Sequence, residues 1–248
     1  MAGPVRVSFV GTGDAFGSGG RLQTCIHVAG PGASYLLDCG CSSLVGLRRS
    51  GIAPEQIDTV IISHLHGDHF GGIPFLLLDG QYLSKRTSPL AIIGPQGLQK
   101  QVAAALAALY PGTLEDGVAF PVTYQELQPG QTLCHGDLKI RAWRMQHGGS
   151  DRALGVQVDG CGKRIAYTGD TEWNENLPLL AAGADLLICE CFQYDQPTAS
   201  HLDYMTLLEK RGQLDCRQIV LTHAGDAVLQ RQDALEFPLA DDGFVLDL

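Results

Sequence analysis

Short apolar runs closed by glycine- or proline-containing breaks recur along the chain from Val5 to Leu248. Residues 5–10, 23–29 and 34–38 read as strands joined by glycine-rich turns, and a short helix is expected at 43–49. Residues 59–63, Thr-Val-Ile-Ile-Ser, form a β-branched run that predicts a buried strand. A helix is expected from about 68 to 79, although Pro74 is awkward there unless it lies in the first turn or two. Residues 90–93 read as a strand, and the alanine-rich run 96–109 as a helix closed by Pro111-Gly112. From 118 to 167 the pattern turns to strands and hairpins, read as a second, antiparallel set. A helix at 176–182, a strand at 185–190, a helix at 202–211 and a strand at 218–222 follow. Two strand-rich halves, each with helices, predict an α/β chain folded as a four-layer αββα sandwich. With no repeat or linker-like stretch, residues 1–248 are expected to form a single domain.

Composition narrows this picture. An apolar content of 45% with 18% charge is globular, and 31 glycines imply many tight turns. No run approaches the ~20 apolar residues of a membrane helix. The N-terminal residues lack a leader pattern, so a cytoplasmic location is expected. Eight cysteines in such a chain are better read as free thiols than as staples. The pairs Cys39/Cys41 and Cys189/Cys191 lack the two-residue gap of a zinc knuckle and are read as buried thiols. A net charge of −10 argues against a large nucleic-acid footprint. The doublets Arg48-Arg49, Lys85-Arg86, Lys163-Arg164 and Lys210-Arg211 are read as solvated surface charge.

Gly11-Thr12-Gly13-Asp14-Ala15-Phe16-Gly17 follows a strand and superficially matches a dinucleotide-binding fingerprint. Its third glycine is one position late, and a strand follows where a phosphate-binding helix should begin. A nucleotide cofactor is therefore not expected.

The run His64-Leu65-His66-Gly67-Asp68-His69 places four metal-ligand side chains within six residues, in a chain with only eight histidines. A solitary histidine is usually a satisfied core residue. Several imidazoles crowded at one strand end without a cation would leave costly unpaired polar groups. Metal binding is the better reading. Because α/β sheets gather their sites at the carboxyl ends of strands, further ligands are sought there. Four other runs end in Asp38, His147, Asp170 and His223. His64, His66 and His147 would hold one metal, and Asp68, His69 and His223 a second, with Asp170 bridging both. Zn²⁺ suits this set of two divalent ions, with Mn²⁺ or Fe²⁺ as alternatives. Asp38 is cast as the carboxylate behind the ligands that fixes their loop.

This ordered set, with Gly169-Asp170-Thr171, resembles the metallo-β-lactamase superfamily. The resemblance implies the αββα fold and a bridging hydroxide, but no particular substrate. Glu190-Cys191-Phe192, Ser200-His201 and Leu221-Thr222-His223 are similar to the ribonuclease Z-like phosphodiesterase branch, as is the continuation from Asp68 to Pro74. That similarity implies that His201 assists departure of the leaving group, with Glu190 orienting it. Asp68, His201 and Glu190 are thus the candidate catalytic groups. Read without the family, His201 could equally be a surface or helix-capping histidine.

Members of that branch that process transfer RNA carry a long arm between the third histidine motif and the bridging aspartate. Here 22 residues separate His147 from Asp170, which favours small or cyclic phosphodiesters over a tRNA precursor. The cysteine-rich extra zinc site of some smaller phosphodiesterases has no counterpart. Arg21 could contact a phosphate or be an ordinary turn arginine. His27 and His135 are read as structural. The alternatives are a lactone, thioester or β-lactam hydrolase on the same metals, a tRNA 3′-processing endonuclease, and a metal-binding protein without catalysis. No membrane partner is expected, and a homodimer is left open.

Overall fold

The computed structural model describes residues 4–149 and 152–248. Strands β1 (Arg6–Gly11), β2 (Cys25–Gly30), β3 (Ala33–Leu37), β4 (Thr59–Ile61), β5 (Leu90–Gly94) and β6 (Val122–Glu126) form one sheet. Strands β7 (Thr132–His135), β8 (Leu138–Arg144), β9 (Leu154–Gly160), β10 (Lys163–Tyr167), β11 (Leu186–Glu190) and β12 (Ile219–Thr222) form the other. The final strand, β13 (Phe244–Asp247), returns to the first sheet and pairs antiparallel with β1. Each sheet changes direction once. The first is antiparallel from β13 to β3 and parallel from β3 to β6, while the second is antiparallel from β7 to β10 and parallel from β10 to β12.

Alternation on these strands produces three apolar layers. Val7, Phe9, Ile26, Leu37, Ile61 and Ile93 of the first sheet meet Ile140, Val156, Ile165, Ile188 and Val220 of the second. The opposite face of the first sheet is covered by α1 (Ser43–Arg49), α2 (Gly67–Phe70), α3 (Ile73–Leu78) and α4 (Leu98–Leu109), which bury Leu47, Phe70, Ile73 and Val102. The opposite face of the second carries α5 (Asn176–Ala181), α6 (Tyr204–Lys210) and α7 (Asp226–Leu229), with Leu177, Leu180, Leu207 and Val228 inside. The order is helices, sheet, sheet, helices: the expected αββα sandwich. Among the described residues no helix is long and apolar enough to cross a membrane.

Three sequence expectations are corrected. The helix expected over 68–79 is two helices, α2 and α3, broken at Gly71-Gly72, with Pro74 in the first turn of the second. Glycine is required at the break because a Cβ on Gly72 would lie 2.2 Å from the Gly40 carbonyl oxygen. β6 does not belong to the antiparallel set but extends the first sheet parallel to β5. Nor is Arg86 surface charge. It is buried, and its guanidinium donates to the carbonyls of Pro54, Ile57, Ser88 and Pro89, tying the loop after α3 beneath the sheet.

All eight cysteines are free. Cys39, Cys189 and Cys191 are buried as expected, but Cys41 is exposed, because β3 ends at Leu37 and the pair no longer shares a strand face.

Candidate metal centre

Six strands deliver the site. β3 ends before Asp38, β4 before His64, β8 before His147, β10 before Asp170 and β12 before His223, while Glu190 is the last residue of β11. Sharp backbone turns aim several of these side chains across the sheet edge. Asp38, Ser200 and His223 are three of only six non-glycine residues with positive φ among the described residues (59°, 116° and 54°). Such conformations cost free energy and persist where the surroundings enforce them. Gly169 has φ 56°, and a Cβ there would lie 2.7 Å from that of Ser63, so the residue preceding Asp170 must be glycine.

Two donor groups result. In one, His64 Nε2 and His147 Nε2 lie 3.1 and 3.0 Å from His66 Nδ1. In the other, donor atoms of Asp68, His69, Asp170 and His223 converge within 4.8 Å. Asp170 Oδ2 stands between the groups, 3.2 Å from His69, 3.5 Å from His223, 3.8 Å from His64 and 3.9 Å from His147.

Hydrogen bonds behind the candidate ligands set their tautomers. His147 Nδ1 lies 2.8 Å from the Ser200 carbonyl oxygen, which can only accept, so Nδ1 carries the proton and Nε2 offers its lone pair to the group. His69 Nδ1 donates to Asp38 Oδ2 at 2.7 Å. Asp38 also accepts from the Ser63 amide, the Ser63 hydroxyl and the Tyr167 hydroxyl, each at 2.7 Å.

The cluster is incomplete as a purely protein network. His69 Nε2, Asp170 Oδ1 and His223 Nδ1 are buried without a hydrogen-bond partner. Burial would push His69 and His223 down, but the Asp170 carboxylate, with Asp38 beside His69 and Asp68 beside His223, raises both above the ordinary histidine value. Asp68 is held below the carboxylate range by His223 and His69 against the effect of burial. His64, His66 and His147 are lowered by burial and by the neighbouring imidazoles. Imidazole nitrogens with carboxylate oxygens in this arrangement suit divalent cations.

His201 stands beside this cluster. Its Nδ1 lies 3.1 and 3.2 Å from the two Glu190 carboxylate oxygens and its ring 4.9 Å from that of His147. Burial lowers its basicity. Glu190 is buried, and burial with the neighbouring Asp170 raises its carboxyl well above the ordinary value. Its Oε1 also accepts from the Thr171 amide, so one carboxylate positions both His201 and the loop carrying Asp170. His201 is not a helix cap, since the cap of α6 is Asp203, which accepts from the Thr206 amide.

Arg21 does not reach the site. Its guanidinium donates to the Ala240 carbonyl at 2.7 Å and pairs with Asp241 at 3.4 Å, pinning the loop after β1 to the chain's last turn. His27 is buried on the outer face of β2, 3.0 Å from the Ser34 hydroxyl, and His135 lies on β7.

Sequence reasoning gave no role to Ser63 or Tyr167, and named Phe192 and Ser200 only as neighbours of Glu190 and His201 in the motifs. Tyr167 left one signal, a hydroxyl closing the apolar run Ile165-Ala166-Tyr167, three residues before Asp170. A cavity of about 390 Å³ opens over the cluster, walled by Phe16, Phe192, Thr198, Ser200 and His201. A second cavity of about 460 Å³, between α1 and the outer face of β1 and β2, is lined by no metal-ligand cluster among the described residues.

Fold and donor set together define a metallo-β-lactamase-fold protein of the ribonuclease Z-like branch. The sequence profile of the anti-Pycsar protein Apyc1 family matches residues 5–240, and the chain belongs to that family. It is 32% identical over 160 residues to a ribonuclease Z of Lachnoclostridium phytofermentans, a match covering 64% of this chain and 50% of that protein. This chain thus spans about half the length of that relative. Human tRNase Z, short form, superposes with a TM-score of 0.80 at 26% identity over 97% of this chain and 98% of that one. The metallo-β-lactamase fold protein YhfI from Bacillus subtilis shares the fold, with a TM-score of 0.76 at 21% identity, covering 98% and 100% of the two chains.

Proposed function

We propose that this chain is a cytoplasmic, dinuclear metal-dependent phosphodiesterase acting on small or cyclic phosphodiesters. His64, His66 and His147 would hold one metal and Asp68, His69 and His223 the other, with Asp170 available to both. Zn²⁺ is the favoured ion. When bound, the pair supplies Lewis acidity at the phosphoryl group and lowers the pKa of water towards neutrality.

The protein's own groups supply the rest. Asp38 and the Ser200 carbonyl hold His69 and His147 in the ligating tautomer. His201 faces the cavity, held at Nδ1 by Glu190; as the imidazolium it carries a second proton at Nε2, which it gives to the departing alkoxide, leaving the neutral ring. Phe192 packs beside the His201 ring, 4.7 Å between centroids.

The His201–Glu190 pair beside the donor cluster carries the reading, because attack on a carbonyl carbon has little need of it. The small substrate is supported by the cavity, which lies near the lower end of the ~300–1,000 Å³ range of small-ligand sites. It is supported too by β9 and β10, which fill most of the chain between His147 and Asp170.

The test is cleavage of bis(p-nitrophenyl) phosphate and of a panel of cyclic phosphodiesters by the Zn²⁺- or Mn²⁺-loaded protein. His201→Ala should lower turnover by about 10²-fold or more with metal content intact. Activity confined to esters or lactones, or an indifferent His201, would overturn the reading.

A further inference from the structure

The cavity over the donor cluster has two chemically different walls. One is imidazole and carboxylate. The other is a pair of phenyl rings, Phe192 two residues beyond β11 and Phe16 in the loop after β1. Phe192 lies 4.7 Å from the His201 ring and 6.2 Å from that of His223, centroid to centroid. Phe16 continues this wall outward, 6.3 Å from Phe192 at an interplanar angle of 42°.

Phe16 is 82% exposed, more than any other large hydrophobic side chain among the described residues. A phenyl group left in water contributes little to folding. Its loop is nevertheless firmly built. Asp14, fully buried, accepts from the Phe16 amide at 2.9 Å, the Ser18 amide at 3.0 Å and the Ser18 hydroxyl at 2.6 Å. Gly17 and Gly19 follow with φ of 72° and 64°, and Leu229 of α7 closes over Gly19, 2.8 Å from where a Cβ would stand. A buried carboxylate, two left-handed glycines and a helix thus hold one exposed aromatic ring at the mouth of the cavity, on the side where His201 stands.

We infer that Phe16 is a specificity-determining residue whose ring stacks on a planar, π-bearing group of the phosphodiester substrate, a nucleobase or other aromatic ring. This rests on the phosphodiesterase reading and deepens it. Anchoring the phosphoryl group at the donor cluster directs the organic part of a small substrate along the wall shared by His201, Phe192 and Phe16. A flat ring there covers Phe16 without a hydrogen-bonding requirement, so the platform accepts different bases and discriminates against substrates that lack one.

The experiment compares a nucleoside cyclic phosphate with the same cyclic phosphate of methyl riboside, which lacks the base, and includes bis(p-nitrophenyl) phosphate as a non-nucleoside aryl substrate. Phe16→Ala and Phe16→Leu should raise KM for the base-bearing substrate about tenfold or more, at least fivefold beyond their effect on the baseless one, with kcat changed much less. Phe16→Trp should retain the preference. A rise in KM for the aryl ester as well marks a general aromatic platform, and a rise for the nucleoside alone marks a base site; both support stacking. Calorimetry gives a readout independent of turnover: a nucleoside monophosphate should bind wild type more tightly than ribose phosphate, and Phe16→Ala should erase the difference. Equal binding of the two ligands by wild type, or equal losses on both substrates in the variants, overturns the stacking role. A wild-type protein that cleaves no phosphodiester but still prefers the base overturns the phosphodiesterase reading and leaves the platform standing.

Discussion

The Tyr167 hydroxyl donates to Asp38 Oδ2 at 2.7 Å, joining β10 of the second sheet to the turn after β3 of the first. Both residues are fully buried. Asp38 therefore collects donors from both sheets and directs its charge onto His69. Burying a carboxylate is costly unless hydrogen bonds replace its water, and four donors do so here. The ligand loop is held by the sandwich as a whole.

Tyr167→Phe removes one of those donors without creating a cavity. A hydrogen bond to a charged group contributes about 1.5–3 kcal/mol, so the unfolding free energy should fall by about that much. Asp38→Asn should do more, weakening zinc affinity by roughly 10–100-fold through His69. Denaturant titration and competition with a chromophoric chelator measure the two effects. An Asp38→Asn protein that binds zinc as wild type does would refute the role given to Asp38.

Gly40 sits where that turn meets the ligand loop. A Cβ there would lie 2.3 Å from the Asp68 carbonyl oxygen, a backbone atom that cannot move without taking Asp68 and His69 with it. Gly40→Ala should lower both melting temperature and metal content. Gly51→Ala provides the contrast: its φ of 68° is strained for alanine but nothing lies within 4 Å, so only about 1–2 kcal/mol should be lost, with metal content unchanged.

Much of this was legible in the sequence because strand-end chemistry is local. Apolar runs ending in histidine or aspartate placed Asp38, His64, His147, Asp170 and His223 at one edge before any contact was known, since parallel strands share their carboxyl ends. The supporting partners were not legible, because Tyr167 meets Asp38 across 129 residues and only the packing of two sheets brings them together. The sheet assignment of β6 failed for a related reason: a five-residue strand with mixed burial carries no mark of which sheet edge it will join. Arg21 and Arg86 show the converse limit. Each looked like surface or ligand charge, and each is consumed by backbone carbonyls that a sequence does not locate.

His27 provides a pH signature away from the metal cluster. Burial on the outer face of β2 pushes its pKa down to about 4, against an ordinary value near 6.5. A depressed folded-state pKa means that the unfolded chain takes up the proton first. Its contribution to stability is thus complete above pH ~6.5 and is lost as pH falls towards 4. Between pH 7.5 and 5.5 the loss from this one group should be roughly 1 kcal/mol. Urea unfolding of wild type and His27→Gln across that range isolates it, because all other groups titrate alike in both proteins. Parallel curves would show that His27 is not the source.

Metal loading should show two proton signatures. In the metal-free molecule His69 and His223 have raised pKa values beside Asp170, Asp38 and Asp68, so they hold a proton to higher pH than an ordinary histidine, and a cation has to displace it. His64, His66 and His147, with lowered values, give up their protons at lower pH and accept a cation with less of that exchange. Occupation of the Asp68–His69–His223 group should therefore release protons and strengthen as pH rises, while the His64–His66–His147 group loads at lower pH with little proton release. Zinc titration of the metal-free protein at pH 6 and pH 8, in buffers of different ionisation enthalpy, counts the protons per metal. The expected result is one pH-dependent and one nearly pH-independent event. Two events with the same proton count would mean that Asp170 and Asp38 do not set the charge on the second group.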